Sequence, residues 1–268
     1  MNHTEIEHFL KEDEGVEDIT SQTLPSSEVV AEIISKDEGT LAGLSEATSI
    51  FRYFGISTSP FYTDGDQFKE NEVIMSVKGE ARYILLAERL ALNFLSRMSG
   101  IATLTKKCVE LASGVTIAGT RKTTPGFRKY EKKAIIMGGG DPHRFTLSDA
   151  YLFKDNHLKI MSIEDIFKKR LYFTKKVEIE VESIDDCIKA AECGADIIMF
   201  DNMSVKSIVE SVARLTQLEL RGKVVLEASG GITPHNVADY AAAGVDALSL
   251  GYLTHSSKWL NFSLEVQS

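Results

Sequence analysis

From about residue 149 onward, short apolar runs alternate with amphipathic stretches. The order is "AYLFK", "SIEDIFKKRL", "KVEIEV", "SIDDCIKAAECG", "ADIIMF", "SVKSIVESVARL", "KVVLEAS", "TPHNVADYAAAG" and "VDALSLG". Apolar runs of strand length separated by helix-period segments predict a parallel sheet with helices outside it, as a barrel or a doubly wound sheet. Ser162, Ser183, Ser204 and Thr233 stand where helix N-caps are needed, and Gly194 and Gly244 where helices stop. "SGVTIAGTRK" followed by the helical "FRKYEKKAIIMGGG" predicts one more such unit upstream. The first hundred or so residues have a different pattern. They hold an acidic helix, an "EVVAEIISKDEGTLAGL" segment alternating like antiparallel strands, a turn-rich "YTDGDQFKENE" and a long helix over about 80–113. The change predicts a domain boundary near that helix.

The polar residues choose between the two parallel architectures. No GxGxxG motif opens a helix and no Walker A motif is present. Chemically competent side chains fall instead at the carboxyl ends of successive strands: Arg121 with Lys122, Lys154, Glu180, Asp201, Glu227 with Ser229, and Gly251. That rim is where β/α barrels build their sites, which favours a barrel.

Charge and cysteine content narrow the function classes. A net charge of -9 and a pI near 5.3 argue against general nucleic-acid binding, which needs a broad basic surface. The N-terminus lacks the basic and apolar regions of a secretory signal, and no apolar run approaches the ~18 residues of a membrane span, so a cytoplasmic enzyme is expected. Cys108, Cys187 and Cys193 show no CxxC spacing and are expected to be buried, inert thiols.

Within this acidic chain, "GTRKTTPGFRKYEKK" (119–133) concentrates lysine and arginine, and "GGGDPHRFTLSDAYLFKDNH" places His143, Arg144 and Lys154 at the same predicted rim. Guanidinium groups grip carboxylates through paired donors and lysine acts as a point charge, so two such groups predict a ligand with several anionic centres. In "KVEIEVES", Glu178, Glu180 and Glu182 alternate with apolar residues and share one face of a strand. With Asp201 on the next strand they supply hard oxygen donors suited to Mg²⁺ shared with substrate phosphates, either directly or through water. Gly230, Gly231 and Gly251 let backbone N–H groups approach an anion, and the helix expected near Thr233 offers its N-terminus. Turn glycines serving only the fold are the alternative for either loop.

Seven ordered motifs, "LNFLSRMSGIATLT", "TRKTTPGFR", "GGG..HRF.L.DA.L.KDNH", "VEIEVES", "DIIMFDN", "LEASGGI" and "GYLTHS", resemble the quinolinate phosphoribosyltransferase family. The resemblance runs from "EDEGVEDIT" to "LTHSSK". It implies an N-terminal α/β sandwich over 1–104, completed by the tail 254–268, and an incomplete α/β barrel over 105–253. It also implies a homodimer or a higher assembly of dimers, each barrel site being closed by the neighbouring subunit. By motif match Arg97 resembles the arginine that crosses the interface to the substrate. Arg121, Lys122, His143, Arg144 and Lys154 resemble the cationic substrate pocket, with Lys122 and Lys154 among the catalytic groups. Glu180 and Asp201 match the catalytic acidic pair near the ribose and Mg²⁺, and Ser229, Gly230, Gly231, Gly251 and His255 fall at the 5′-phosphate loops.

The implied activity converts quinolinate and phosphoribosyl pyrophosphate to nicotinate mononucleotide, pyrophosphate and CO₂, with Mg²⁺ as cofactor and no nucleic-acid or membrane partner. Two positions depart from the family: Gly119 stands where Asp is common before "TRK", and Pro142 where Asn is common before "HR". "PHR" and the following "LSD" resemble a paralogous group of molybdenum-transport operons, which lacks "KDNH". That group, acting on another anionic ring, is the rival enzyme reading, and a non-catalytic anion-binding protein is the rival outside enzymes. Retained Glu180 and Asp201 count against the latter, because carboxylates hinder simple anion binding.

Overall fold

A computed structural model describes residues 1–14 and 18–267. The stretch 15–17, inside the "EDEGVEDIT" motif, and residue 268 of the tail lie outside the described residues. The chain forms two compact units, one of residues 1–104, 136–138 and 257–268, the other of residues 105–135 and 139–256.

In chain order the first unit contributes α1 (His3–Glu14), β1 (Glu28–Ser35), β2 (Gly39–Thr40), α2 (Leu44–Tyr53), β3 (Ser57–Pro60), β4 (Gln67–Phe68), β5 (Val73–Glu80) and most of α3 (Ala81–Leu111). The second holds β6 (Thr116–Gly119), most of α4 (Arg128–Met137), β7 (Tyr151–Phe153), α5 (Asp155–Leu158), α6 (Ile163–Phe167), β8 (Val177–Val181) and α7 (Ile184–Cys193). It continues with β9 (Ile197–Asp201), α8 (Val205–Gln217), β10 (Val225–Ser229), α9 (Val237–Ala241), β11 (Ala247–Leu250) and α10 (Tyr252–His255). The last strand, β12 (Phe262–Val266), belongs to the first unit.

In the first unit a four-stranded antiparallel sheet runs β12-β1-β5-β3, and β2 pairs with β4. The alternation in "EVVAEIIS" produces it: Ala31, Ile33 and Ser35 are buried while Glu28 and Val30 face solvent. The last strand joins from the far end of the sequence, with Ala31 opposite Val266 and Ser35 opposite Phe262.

The second unit is an open parallel sheet of six strands, ordered β6-β11-β10-β9-β8-β7. All five residues of β8 are buried, as a strand with neighbours on both sides and helices beyond requires. Ser162, Ser183 and Ser204 each accept the backbone N–H three residues on, at 3.1 Å, and so start their helices as the sequence predicts. Gly194 closes α7 in the left-handed region at φ 90°. Thr233 departs from expectation. Asn236 Oδ1 accepts the Thr233 N–H at 2.8 Å, forming a turn, and α9 begins only at Val237. Among the cysteines, Cys108 and Cys187 are buried and Cys193 is only half-buried, because it ends α7. Burial pushes the Cys108 thiol up to about 11 and that of Cys187 to about 12, which leaves both unreactive near neutrality.

Candidate active site

The parallel sheet sets the site because each strand ends at the same edge. Arg121 and Lys122 follow β6, Lys154 follows β7, Asp201 and Ser229 end β9 and β10, and Gly251 follows β11. A cavity of about 300 Å³ opens there. Arg121, Lys122, His143, Arg144, Lys154, Asp201 and Ser229 line it, together with Gly119, Thr120 and Ser249 and with the apolar Leu152 and Met199. Two cationic segments separated by more than twenty residues of sequence thus converge on one pocket that also offers apolar surface for a ring.

A second pocket beside it is lined by Arg121, Lys122, Thr123, Thr124, Thr254 and His255. Thr254 Oγ1 donates to the Lys122 carbonyl at 2.6 Å and ties that loop to α10. A Cβ on Gly251 would meet Lys122 Cδ at 3.1 Å and His255 Nε2 at 3.3 Å, so glycine keeps these two side chains close together. Gly230 and Gly231 both take positive φ, at 92° and 62°, and a Cβ on Gly230 would lie 2.3 Å from Asn202 Oδ1. Neither glycine lines the main cavity. Arg97 lies in the first unit, where its Nη1 donates to Ser257 Oγ at 2.8 Å.

The acidic residues divide. Glu180 is buried and its Oε2 lies 2.5 Å from Lys154 Nζ, a charge-assisted bond between β8 and the end of β7. Asp201 Oδ2 accepts from Asn202 Nδ2 at 2.8 Å, at the pocket wall. Glu182 corrects the expected three-carboxylate face: β8 ends at Val181, and Glu182 turns out to solvent.

Glu178, fully buried, instead lies with Glu227 beneath His143. His143 Nε2 stands 3.2 Å from Glu227 Oε2 and 3.8 Å from Glu178 Oε2. Burial, and then the charge of Glu227, push the Glu178 carboxyl up to about 7. Burial of His143 opposes its protonation, but the hydrogen bond to Glu227 and the charges of Glu227 and Glu178 outweigh this and raise its pKa. The sequence places Glu227 at the strand rim and Glu178 on the acidic face without giving either this partnership. Their inward periodicity on β10 and β8 was the available signal.

Lys132 is the other group missed. It has no exposed surface, its Nζ donates to the Pro142 carbonyl, and burial lowers its pKa to about 8, assisted by Arg128, Arg144 and Arg121. It therefore supports the loop that carries His143 and Arg144. Five charged residues within six positions on α4, Arg128, Lys129, Glu131, Lys132 and Lys133, hid the fact that Glu131 and Lys132 are buried.

Family models for the N- and C-terminal domains of quinolinate phosphoribosyl transferase match residues 18–99 and 101–265. The chain belongs to the quinolinate phosphoribosyltransferase family. It is 49% identical over 254 residues, covering 93% of this chain and 98% of the relative, to a probable carboxylating nicotinate-nucleotide pyrophosphorylase of Archaeoglobus fulgidus. Against the carboxylating nicotinate-nucleotide pyrophosphorylase of Rattus norvegicus the identity is 36%, over 96% of this chain and 88% of the relative. The solved nicotinate-nucleotide pyrophosphorylase of Francisella tularensis superposes with a TM-score of 0.92 at 38% identity, over 98% of this chain and 94% of that one. Family membership gives the ordered motifs a common frame, and two of the cationic ones, "TRKTTPGFR" and the stretch from "HRF" to "KDNH", contribute Arg121, Lys122, His143, Arg144 and Lys154 to the cavity described above.

Proposed function

We propose that the protein transfers the 5-phosphoribosyl group of phosphoribosyl pyrophosphate to the ring nitrogen of quinolinate, releasing pyrophosphate and CO₂ and giving nicotinate mononucleotide. The observation that carries this reading is the convergence of Arg121, Lys122, Arg144 and Lys154 on one small cavity with an apolar wall. Quinolinate brings two carboxylates on one ring, and the second substrate adds a phosphate and a diphosphate. Guanidinium pairs and lysine charges offset these in a confined space. Lys122 and Lys154 act as catalytic cations, Arg97, Arg121, His143 and Arg144 bind substrate, and Ser229, Gly230, Gly231, Gly251 and His255 hold the 5′-phosphate.

The ring nitrogen attacks C1 of the ribose as the C1–O bond to pyrophosphate breaks, and Glu180 and Asp201 stabilise the positive charge that develops on the sugar. The product nitrogen is quaternary, so the bond from ring carbon 2 to its carboxylate breaks with the electron pair held beside a positive centre. CO₂ departs and that carbon takes a proton.

Mg²⁺ suits the donors present, two carboxylates on adjacent strands. Glu180, one oxygen of which already meets Lys154, and Asp201 would hold the ion. The ion supplies neutralisation of the leaving group's charge. The assembly we propose is a homodimer, or a higher assembly of dimers, in which Arg97 serves the partner's site. A cytoplasmic setting accords with the absence, among the described residues, of any helix long and apolar enough to cross a membrane.

Ring selectivity tests the reading. Nicotinate carries one carboxylate, and binding it would leave desolvated charges without partners at roughly 2–5 kcal/mol each. Quinolinate labelled at the 2-carboxyl should release ¹⁴CO₂ stoichiometrically with pyrophosphate, with kcat/KM several orders of magnitude above that for nicotinate. Efficient use of nicotinate, or no reaction with either ring, would overturn the assignment.

A further inference from the structure

His143, Glu178 and Glu227 present three ligand-type atoms within 4.8 Å of one another beneath the cavity, which resembles a divalent-metal set. Both carboxylates are buried, and neither oxygen of Glu178 nor Oε1 of Glu227 has a hydrogen-bond partner. The far side of the imidazole ring decides what the cluster is. His143 Nδ1 accepts the backbone N–H of Arg144 at 2.8 Å, so its lone pair is engaged. A neutral ring accepting at Nδ1 carries its hydrogen on Nε2, where a metal would need a lone pair. Metal-ligating histidines have the opposite arrangement, donating from the second nitrogen. The hydrogen on Nε2 points instead to Glu227 Oε2, 3.2 Å away.

We propose that Glu227 is a positioning residue for the substrate arginine: by accepting the Nε2 hydrogen it fixes the tautomer of His143, and the lone pair thereby left on Nδ1 fixes the backbone of Arg144. The turn needs such a tie. His143 takes φ 53°, a left-handed conformation that non-glycine residues seldom adopt unless their surroundings impose it. Its own N–H is held by Asp141 Oδ1 at 2.5 Å, and Lys132 holds the preceding Pro142 carbonyl. Glu227 adds the link from the turn to β10, so a side chain on a rigid strand sets the direction in which Arg144 enters the cavity. Glu178, at 3.8 Å from the same nitrogen, is too distant to be the acceptor.

This proposal rests on the proposed reaction only for its kinetic readout. Its test is ¹⁵N–¹H spectroscopy of histidine-labelled protein at alkaline pH, where the imidazole is neutral despite its raised pKa, with His143 assigned by loss of its signals in His143→Gln. Wild-type His143 should show a pyridine-type Nδ1 and a pyrrole-type Nε2. In Glu227→Leu, similar in size but without an acceptor, that pattern should give way to a tautomer mixture, and KM for quinolinate should rise about 10- to 100-fold with a smaller change in kcat. Glu227→Gln, which keeps an acceptor oxygen, should restore the tautomer and most of the affinity. Should the leucine variant fail to fold, the wild-type spectrum and the glutamine variant decide the matter. Three results would overturn the proposal: a hydrogen on Nδ1 in the wild type, an unchanged tautomer and KM in Glu227→Leu, or His143 signals that shift to a metal-bound form on titration with Mn²⁺ or Zn²⁺. A wild type that turns over neither ring refutes the reaction and leaves the tautomer measurement standing.

Discussion

Lys132 links Gly119 and Pro142, the two positions that the resemblance marks as departures. A Cβ on Gly119 would lie 2.4 Å from Ile135 Cδ1, the movable end of that side chain, and 3.5 Å from Lys132 Nζ. Lys132 donates to the carbonyl of Pro142, the second departure. Its folded-state pKa of about 8 lies below the ordinary 10.5, so the folded chain binds fewer protons than the unfolded chain between those values. The cost of burying the charge is fully present below about pH 8 and disappears as pH rises towards 10.5, a gain of roughly 3 kcal/mol across that window. Urea denaturation of wild type and Lys132→Met over pH 8–10.5 should show this as a difference in slope, the wild type gaining on the variant as pH rises. A constant offset would mean that Lys132 titrates normally. None of this was legible in the sequence, because positions 119, 132 and 142 meet only after β6, α4 and the following loop are assembled.

At the scale of elements, the alternation of apolar strands and capped helices was legible wherever the local signal and the tertiary demand agree, as at Ser162, Ser183 and Ser204. It failed at Thr233, where an asparagine three residues on captures the backbone and delays the helix. It also failed at Glu182, since periodicity shows which face a residue takes but not where the strand stops. The return of the tail to the first sheet was legible only through the family resemblance, because no local pattern announces a pairing across more than two hundred residues. Gly100 in α3 shows what that pairing requires. A Cβ there would stand 1.9 Å from the Lys258 carbonyl oxygen and 3.4 Å from Trp259 Cα, so the chain leading to β12 crosses the helix at backbone contact. Gly100→Ala should therefore lower stability by about 1–3 kcal/mol or more, although alanine is the better helix former. Its amide hydrogens in β12 should exchange faster than those of the wild type. A stabilised variant with unchanged exchange in β12 would show that the tail yields without cost.

At the scale of the whole molecule, a chain of net charge -9 gathers Arg121, Lys122, Arg144 and Lys154 at one cavity, yet Arg97, which resembles the substrate arginine by motif, lies in the other unit and bonds Ser257 there. Under the proposed dimer a subunit lends this arginine to its partner's barrel, and that assignment has an arithmetic consequence. Arg97→Ala and Lys154→Ala should each be inactive as homodimers while keeping the fold. After subunit exchange of an equal mixture, half the dimers are hybrids, and in each hybrid one site combines an intact barrel with an intact arginine from the other chain. The second site of that hybrid lacks both. Activity should return to about a quarter of the wild-type value for a freely exchanging two-fold dimer. An arginine acting within its own subunit would leave no intact site in any hybrid, so a fully exchanged mixture that stays inactive would exclude the shared site and require Arg97 to serve the barrel of its own chain.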